Sequence, residues 1–389
     1  MLPNSNWNYP TTVWFGENRV IDIDKALEQL SIKKPLIVTD DALVKLPITD
    51  LLKKSLEKKN IPYELFSDVQ PNPTGENVQN GVKAFSEGGC DGVIAFGGGS
   101  ALDAGKTIAF MSGQKASLWE FEDIGDNWTK ADEEKIAKTI AIPTTAGTGS
   151  EVGRATVITD EKNHAKKIIF HPKMLPSIVV LDPALTYNLP KHITAWTGID
   201  ALVHSIEAYC APTFHPMAEA IALEAIRLIK ENLVTAYNEP YDKVARSYML
   251  VAAMMGATAF QKGLGSVHSV AHQLGGIYNT PHGLANSIIL PYAIKQNASA
   301  IEEKMKKLCK YTDIEEPSVD SFIEYILELR KKVGIPHTLK EAGIPNDKAK
   351  EIGELAFKDP STPTNAKKVD AKDLEKLFLA AYSGDFDLL

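Results

Sequence analysis

A change of periodicity near residue 190 constrains this chain more than any single motif. Before it, short runs rich in β-branched and apolar residues alternate with helical stretches. The runs KPLIVTD (34–40), DGVIAFGGG (91–99) and KTIAIPTT (138–145) are spaced by segments such as ITDLLKKSLEKKN (48–60) and GENVQNGVKAFSEG (75–88). Strands this continuously apolar, separated by helices, belong to a parallel sheet covered on both faces, because each parallel crossover lays a helix on the sheet. Three more strand-like runs follow, ATVITD (155–160), KKIIFHP (166–172) and SIVVLDP (177–183). After about Lys191 the segments ITAWTGIDALVHSIEAY, MAEAIALEAIRLIKENL and ARSYMLVAAMMGATAFQ carry apolar residues at helical spacing. The methionines of YMLVAAMM (248–255) read as fillers of helix packing. The pattern predicts an α/β domain with a parallel sheet over residues 1–190 and an all-helical domain over 191–389.

A length of 389 residues suits two such domains, and 44% hydrophobic residues supply ample core. A net charge of -8 argues against nucleic acid or an anionic membrane as partner, since both call for a basic face. No run of eighteen apolar residues is present to span a bilayer. MLPNSNWNYPTTVWFG lacks the basic and apolar regions of a secretory leader. Cys90, Cys210 and Cys309 are scattered, odd in number and without a CxxC, so neither a disulfide framework nor a thiolate zinc site is expected. Reduced thiols in the cytoplasm are the expectation.

GGGSALDAGKT (97–107) follows a strand run and opens a helical one. Glycines there let the backbone approach a phosphate, and a helix N-terminus offers unpaired N–H groups and a favourable dipole. The P-loop spacing G-x-x-x-x-G-K-[ST] would need glycine at Ser100, so it fails. The G-x-G-x-x-G fingerprint fails as well, because its third glycine falls on Leu102. Spacing alone therefore leaves a phosphate loop and a structural turn both open. PTTAGTGSE (143–151) follows the next buried run; its hydroxyls could bond a pyrophosphate or a nicotinamide amide, or form an ordinary loop.

HSVAHQLGGIYNTPH (268–282) holds three of the nine histidines. On a helix His268 and His272 share one face. The spacing is that of the H-E-x-x-H zinc proteases, but Ser269 stands where their glutamate base belongs. In TGIDALVHSIEAY, Asp200 and His204 also stand four apart, flanked by Ile199, Leu202, Val203 and Ile206. A carboxylate buried there needs a partner, and a metal is one. One carboxylate with up to three imidazoles suits a first-row ion such as iron or zinc better than calcium or magnesium. Hydrogen-bonded core histidines are the alternative.

With VQPNPT (69–74), GGGSALDAGK (97–106), PTTAGTGSE (143–151), the D-x-x-x-H of 197–209 and GLGSVHSVAHQLGGIYNTPHGLANSIILP (263–291) in this order, the chain resembles the iron-dependent, or group III, alcohol dehydrogenases over nearly its whole length. The resemblance implies an N-terminal dinucleotide-binding α/β domain and a helical C-terminal domain that supplies the metal. Carried over by position, the metal ligands are Asp200, His204, His268 and His282. His272 matches a histidine beside the metal that helps move a proton. The cofactor contacts are Gly98, Gly99 and Ser100 at the pyrophosphate, Asp103 toward the nicotinamide, Thr144, Thr145 and Thr148 in the second loop, and Asn72 and Lys166. Asp40 matches the acid that holds the adenosine ribose hydroxyls in NAD-using members. Trp196 and His215 depart from the family pattern on the expected substrate side.

The implied chemistry is hydride transfer between NAD(H) and a small primary alcohol, aldehyde or diol. The metal acts as Lewis acid, so no glutamate base is required at Ser269. Fe2+ is the implied metal, with Zn2+ able to replace it as purified, and the family forms dimers or larger homo-oligomers. Two rivals remain. A zinc-dependent glycerol dehydrogenase or dehydroquinate synthase relative would use three protein ligands, and the fourth, His204, argues for the iron type. A phosphotransferase built on Gly105-Lys106-Thr107 is opposed by the misplaced Gly99.

Overall fold

The computed structural model describes Tyr9, residues 11–163 and residues 165–389; the first eight residues, part of the stretch read for a leader, lie outside the described residues. The described chain forms two compact units, Tyr9–Tyr187 and Asn188–Leu389.

The first unit is built on six parallel strands. They are β1 (Thr12–Phe15), β2 (Pro35–Asp40), β3 (Glu64–Val69), β4 (Gly92–Gly97), β5 (Lys138–Pro143) and, after a separate hairpin, β8 (Ile178–Leu181). Their order is β1-β8-β5-β4-β2-β3. The hairpin strands β6 (Ala155–Asp160) and β7 (Ala165–Phe170) form their own antiparallel pair. Side chains alternate across the sheet with period two. Ile37, Ile94, Phe96, Ile140 and Ile142 pack with Ile23 and Leu27 of α1 (Ile23–Leu30) and Leu52 and Leu56 of α2 (Pro47–Glu57). Leu36, Val38 and Val93 pack with Val78 of α3 (Gly75–Glu87) and Ala104, Ile108 and Phe110 of α4 (Gly99–Met111). Each such Val, Leu, Ile or Phe side chain contributes about 1.5–3 kcal/mol of transfer free energy, which is why the interior strands are apolar on both faces.

The strand order also fixes where a ligand can sit. β2 has β3 on one side and β4 on the other, with Val38 opposite Ala95 in register. The chain therefore leaves adjacent strands in opposite directions, which opens a crevice beyond their carboxyl ends. Asp40 ends β2, Gly97 ends β4 and Pro143 ends β5.

The second unit is helical: α5 (Lys191–Cys210), α6 (Pro216–Asn238), α7 (Lys243–Ala259), α8 (Ser266–Tyr278), α9 (His282–Tyr311), α10 (Val319–Lys332), α11 (Ala349–Phe357) and α12 (Ala371–Ser383). From Gly198 to Cys210 every residue of α5 is buried, as a helix at the centre of a bundle must be, and α5 packs against α6, α7 and α9. Pro291 interrupts the hydrogen-bond ladder of α9. It cannot donate to the Ser287 carbonyl one turn earlier. The buried Arg330 of α10 donates Nη1 instead, to Ser287 O at 3.3 Å and Ile288 O at 2.8 Å, and so holds the first half of α9 in place. Among the described residues no helix is long and apolar enough to cross a membrane.

Candidate functional site

Three helices of the second unit each present a pair of residues four apart toward one point. α5 brings Asp200 and His204, α8 brings His268 and His272, and α9 brings His282 and Asn286. One turn separates the members of each pair, so both lie on one face. One ligand atom from each of Asp200, His204, His268 and His282 lies within 4.8 Å of the others. The His204 and His268 rings stack at 4.8 Å, and His268 and His282 lie 5.3 Å apart.

The donor atoms are set for a cation. The Asn286 amide nitrogen lies 2.6 Å from Asp200 Oδ1, 3.0 Å from His282 Nε2 and 3.3 Å from His268 Nε2. Acceptor atoms from three residues thus converge on one electropositive group. Burial, reinforced by neighbouring rings, drives His268 and His282 well below the ordinary histidine range. Their imidazoles are therefore neutral and keep a lone pair for coordination. Burial also works to raise the Asp200 carboxyl, but the carboxyl lies below its usual range, helped by the hydrogen bond its Oδ1 accepts from the Asn286 amide. His204 Nδ1 is buried and has no hydrogen-bond partner. A compact set of one carboxylate and three imidazoles, with Asp200, His204 and His268 buried and His282 half-buried, fits a first-row divalent ion.

Carboxylates behind the rings set their orientation, and the sequence pattern does not single them out. Glu207, one turn after His204, sits with Oε2 2.6 Å from His268 Nδ1, while Oε1 accepts from Val267 N at 2.8 Å. In its carboxylate form Glu207 only accepts, so the His268 proton sits on Nδ1 and the lone pair on Nε2. Burial pushes the Glu207 carboxyl up to about 7. The one signal for it in the sequence is an acid on an otherwise apolar helix face. Asp359, just after α11, accepts from His272 Nδ1 at 2.9 Å; nothing local in KDPST marks it.

His272 lies over this cluster, its ring stacked on His282 at 5.3 Å and 15°. Trp196 is half-buried one turn before Asp200. A Cβ on Gly283 would come within 2.6 Å of the Trp196 carbonyl oxygen, so α5 and the start of α9 touch beside His282. His215 acts structurally, because its Nδ1 accepts from Ala218 N and caps α6.

In the first unit the structure brings the two candidate loops together at the carboxyl ends of β4 and β5. Thr144 N donates to Gly97 O at 3.0 Å. Gly97 adopts φ +148°, and a Cβ on Gly99 would come 2.7 Å from Thr148 Cγ2, so glycine is required at both. Thr145 lies against Gly98. Ser100 Oγ donates to Pro71 O, which joins the segment carrying Asn72 to the start of α4. Asp40 Oδ1 accepts from Ala42 N and Leu43 N at 3.0 and 2.8 Å; a Cβ on Gly97 would lie 3.9 Å from its Oδ2. Asp103 accepts from Ser150 Oγ and from Val157 N, and burial pushes its carboxyl up. Burial also lowers Lys166 on β7, against the attraction of Asp103.

Lys106, the lysine of the failed P-loop, is buried under the second loop. Its ammonium donates to Ser150 O at 2.9 Å, Ala155 O at 2.8 Å and Gly153 O at 3.3 Å. A P-loop lysine must reach a phosphate. This one is used to tie residues 150–155 to α4, and the phosphotransferase reading loses its central group.

Residues 10–183 match the family described as iron-containing alcohol dehydrogenase, and residues 194–382 match the C-terminal domain of the same family. Alcohol dehydrogenase 4 of Saccharomyces cerevisiae is 32% identical over 376 residues, which cover 96% of this chain and 97% of that one. An NADPH-dependent butanol dehydrogenase of Clostridium saccharobutylicum is 35% identical over 385 residues, covering 96% and 97%. The crystal structure of a 1,3-propanediol oxidoreductase superposes with a TM-score of 0.93 at 33% identity, covering 97% of this chain and 100% of that one.

Proposed function

The chain belongs to the iron-containing alcohol dehydrogenase family, and from that premise we propose that it transfers hydride between NAD(H) and small primary alcohols or diols and their aldehydes. The observation that carries the proposal is the convergence of one carboxylate and three imidazoles on one point, their ligand atoms within 4.8 Å of one another. A divalent ion there supplies Lewis-acid polarisation of the substrate oxygen, and the nicotinamide supplies or takes the hydride.

The chain's own residues divide the work. Asp200, His204, His268 and His282 hold the ion. The fourth ligand, His204, and the oxygen-plus-nitrogen donor set support Fe2+ as the native ion, with Zn2+ able to take the site as purified. Glu207 fixes the ring of His268. His272, beside the ligand rings, carries the alcohol's proton outward. Gly98, Gly99 and Ser100 take the pyrophosphate at the N-terminus of α4. Thr144, Thr145, Thr148, Asn72, Asp103 and Lys166 surround the rest of the cofactor. The names of relatives do not decide between NAD and NADP, since one is named for NADPH. Asp40 supports NAD: its carboxylate can accept two ribose hydroxyls and repels a 2′-phosphate. Three free cysteines support a reducing, cytoplasmic setting.

The test is a panel of short alcohols, diols and aldehydes with protein reconstituted in Fe2+ or Zn2+ without oxygen, followed by NADH absorbance. Turnover of short primary alcohols or diols that depends on added metal is expected. Metal-independent turnover, or none across the panel with the site loaded, overturns the proposal.

A further inference from the structure

The hydrogen bond between His272 and Asp359 carries an inference that rests on the reading of His272 as proton carrier. Asp359 is 9% exposed, and both of its carboxylate oxygens accept hydrogen bonds. Oδ2 accepts from His272 Nδ1 at 2.9 Å and more weakly from Gln273 Nε2 at 3.4 Å. Oδ1 accepts from the backbone N–H of Ser361 at 2.9 Å. Burial works to raise this carboxyl, but the His272 bond and the Ser361 donors outweigh it and hold it below the usual range, so it remains a carboxylate. A carboxylate cannot donate, and the proton on the His272 ring is therefore confined to Nδ1.

We infer that Asp359 is a positioning residue for the reaction: through this hydrogen bond it fixes the His272 tautomer, with Nε2 left as the lone-pair nitrogen that can accept the substrate's proton. The same bond fixes the ring plane stacked on His282. The logic is that of a buried aspartate behind a general-base histidine: the aspartate does not itself exchange a proton, and the imidazole tautomer is what it controls.

The geometry gives this role a signature that a packing role lacks. In Asp359→Asn the Ser361 N–H still demands an oxygen, so the amide oxygen takes the Oδ1 place. The amide NH2 must then face His272 Nδ1. That donor forces the lone pair onto Nδ1 and the proton onto Nε2, the wrong tautomer for a base. Asp359→Ala removes the bond but leaves the imidazole able to sample both tautomers. If Asp359 only packed the segment after α11, the nearly isosteric asparagine would be the milder change. If it sets the tautomer, asparagine is at least as damaging as alanine.

The experiment measures kcat, KM and metal content for Asp359→Asn, Asp359→Ala, His272→Ala and the double variant His272→Ala/Asp359→Asn, each reconstituted with the same metal. Expected are full metal content, a kcat lowered roughly 10²-fold in Asp359→Asn, by analogy with the loss of general acid–base help, and an equal or smaller loss in Asp359→Ala. KM should change little. In the His272→Ala background the asparagine substitution should cost nothing further. Asp359→Asn milder than Asp359→Ala, or an equal loss in both His272 backgrounds, overturns the inference. Unchanged kcat in His272→Ala instead overturns the underlying proton-carrier reading, and the two failures are thus separable.

Discussion

Replacing Lys106 by methionine separates the two meanings of Gly105-Lys106-Thr107. Methionine keeps most of the stem's length and apolar contact but offers no donor. The variant loses two close charge-assisted hydrogen bonds, to Ser150 O at 2.9 Å and Ala155 O at 2.8 Å, and a longer one to Gly153 O at 3.3 Å. Bonds of this kind are worth roughly 1.5–3 kcal/mol each. Against that gain stands the cost of burying an ammonium, seen in the lowered pKa of Lys106. The variant also leaves Asp103, 3.8 Å from the lost charge, and the buried Glu151 without their cation. Removing one member of a buried charged cluster typically costs about 3–5 kcal/mol. For a unit of this size each kcal/mol lowers the midpoint by about 2–4 °C, so a fall of roughly 10 °C is expected. The assay is a thermal melt of wild type and Lys106→Met, with NADH and ATP titrations well below the melt. Wild type should bind NADH and not ATP, and the variant should melt early. An unchanged midpoint with abolished nucleotide binding would refute the reasoning, because the ammonium would then be facing ligand.

Other substitutions probe the remaining parts. His268→Ala or His282→Ala should lower metal content and turnover together, checked by metal analysis beside kinetics; full occupancy with normal turnover contradicts the ligand assignment. Asp40→Gly should narrow the preference for NAD over NADP by roughly tenfold or more, as expected when a like-charge contact of a few kcal/mol is removed; the ratio of kcat/KM values decides it. Burial raises the Glu151 carboxyl from 4.5 to about 7. The folded state thus holds this proton more tightly, and stability falls as pH rises from about 4.5 to 7, then levels. At about 1.4 kcal/mol per pH unit the total is about 3 kcal/mol. Glu151→Gln should therefore gain in midpoint relative to wild type between pH 5 and 8, whereas a pH-independent difference would count against a buried, titrating Glu151.

The sheet was legible where it is most buried. PLIVTD, GVIAFG and KTIAIP are apolar on successive residues because both of their faces are covered, and that run of hydrophobicity is visible without knowing the partners. The two strands the pattern did not mark, TVWF and ELFSDV, are the edges of the sheet. An edge strand is half solvated, so its sequence is more polar and its periodicity weaker. ATVITD and KKIIFHP read as strands but gave no sign of pairing with each other outside the main sheet, since strand propensity does not encode a partner.

The candidate site divides along a similar line. Asp200 with His204 and His268 with His272 were visible because one helical turn brings each pair to the same face. Where the two faces meet was not visible, nor which other residue completes them, since that depends on how α5, α8 and α9 pack. Asn286 shows the difference. It stands one turn after His282, just as His272 stands one turn after His268, and its amide lies among the ligand atoms. Yet an asparagine in GLANSIILP has no local property that distinguishes it from a capping or surface residue. Glu207 was half visible: a glutamate on an otherwise apolar face must find a partner, but the sequence could not say that the partner was His268 Nδ1. Asp359 was invisible, because its partner lies 87 positions away in the chain and only the packed fold joins them. Each coordinating residue stands one helical turn from another polar residue of the site, and Asp200, His204 and His268 announce themselves by that spacing. Residues that orient them act across elements, so their identity is a property of the packing, and a reading of the sequence finds them only as polar groups in need of an explanation.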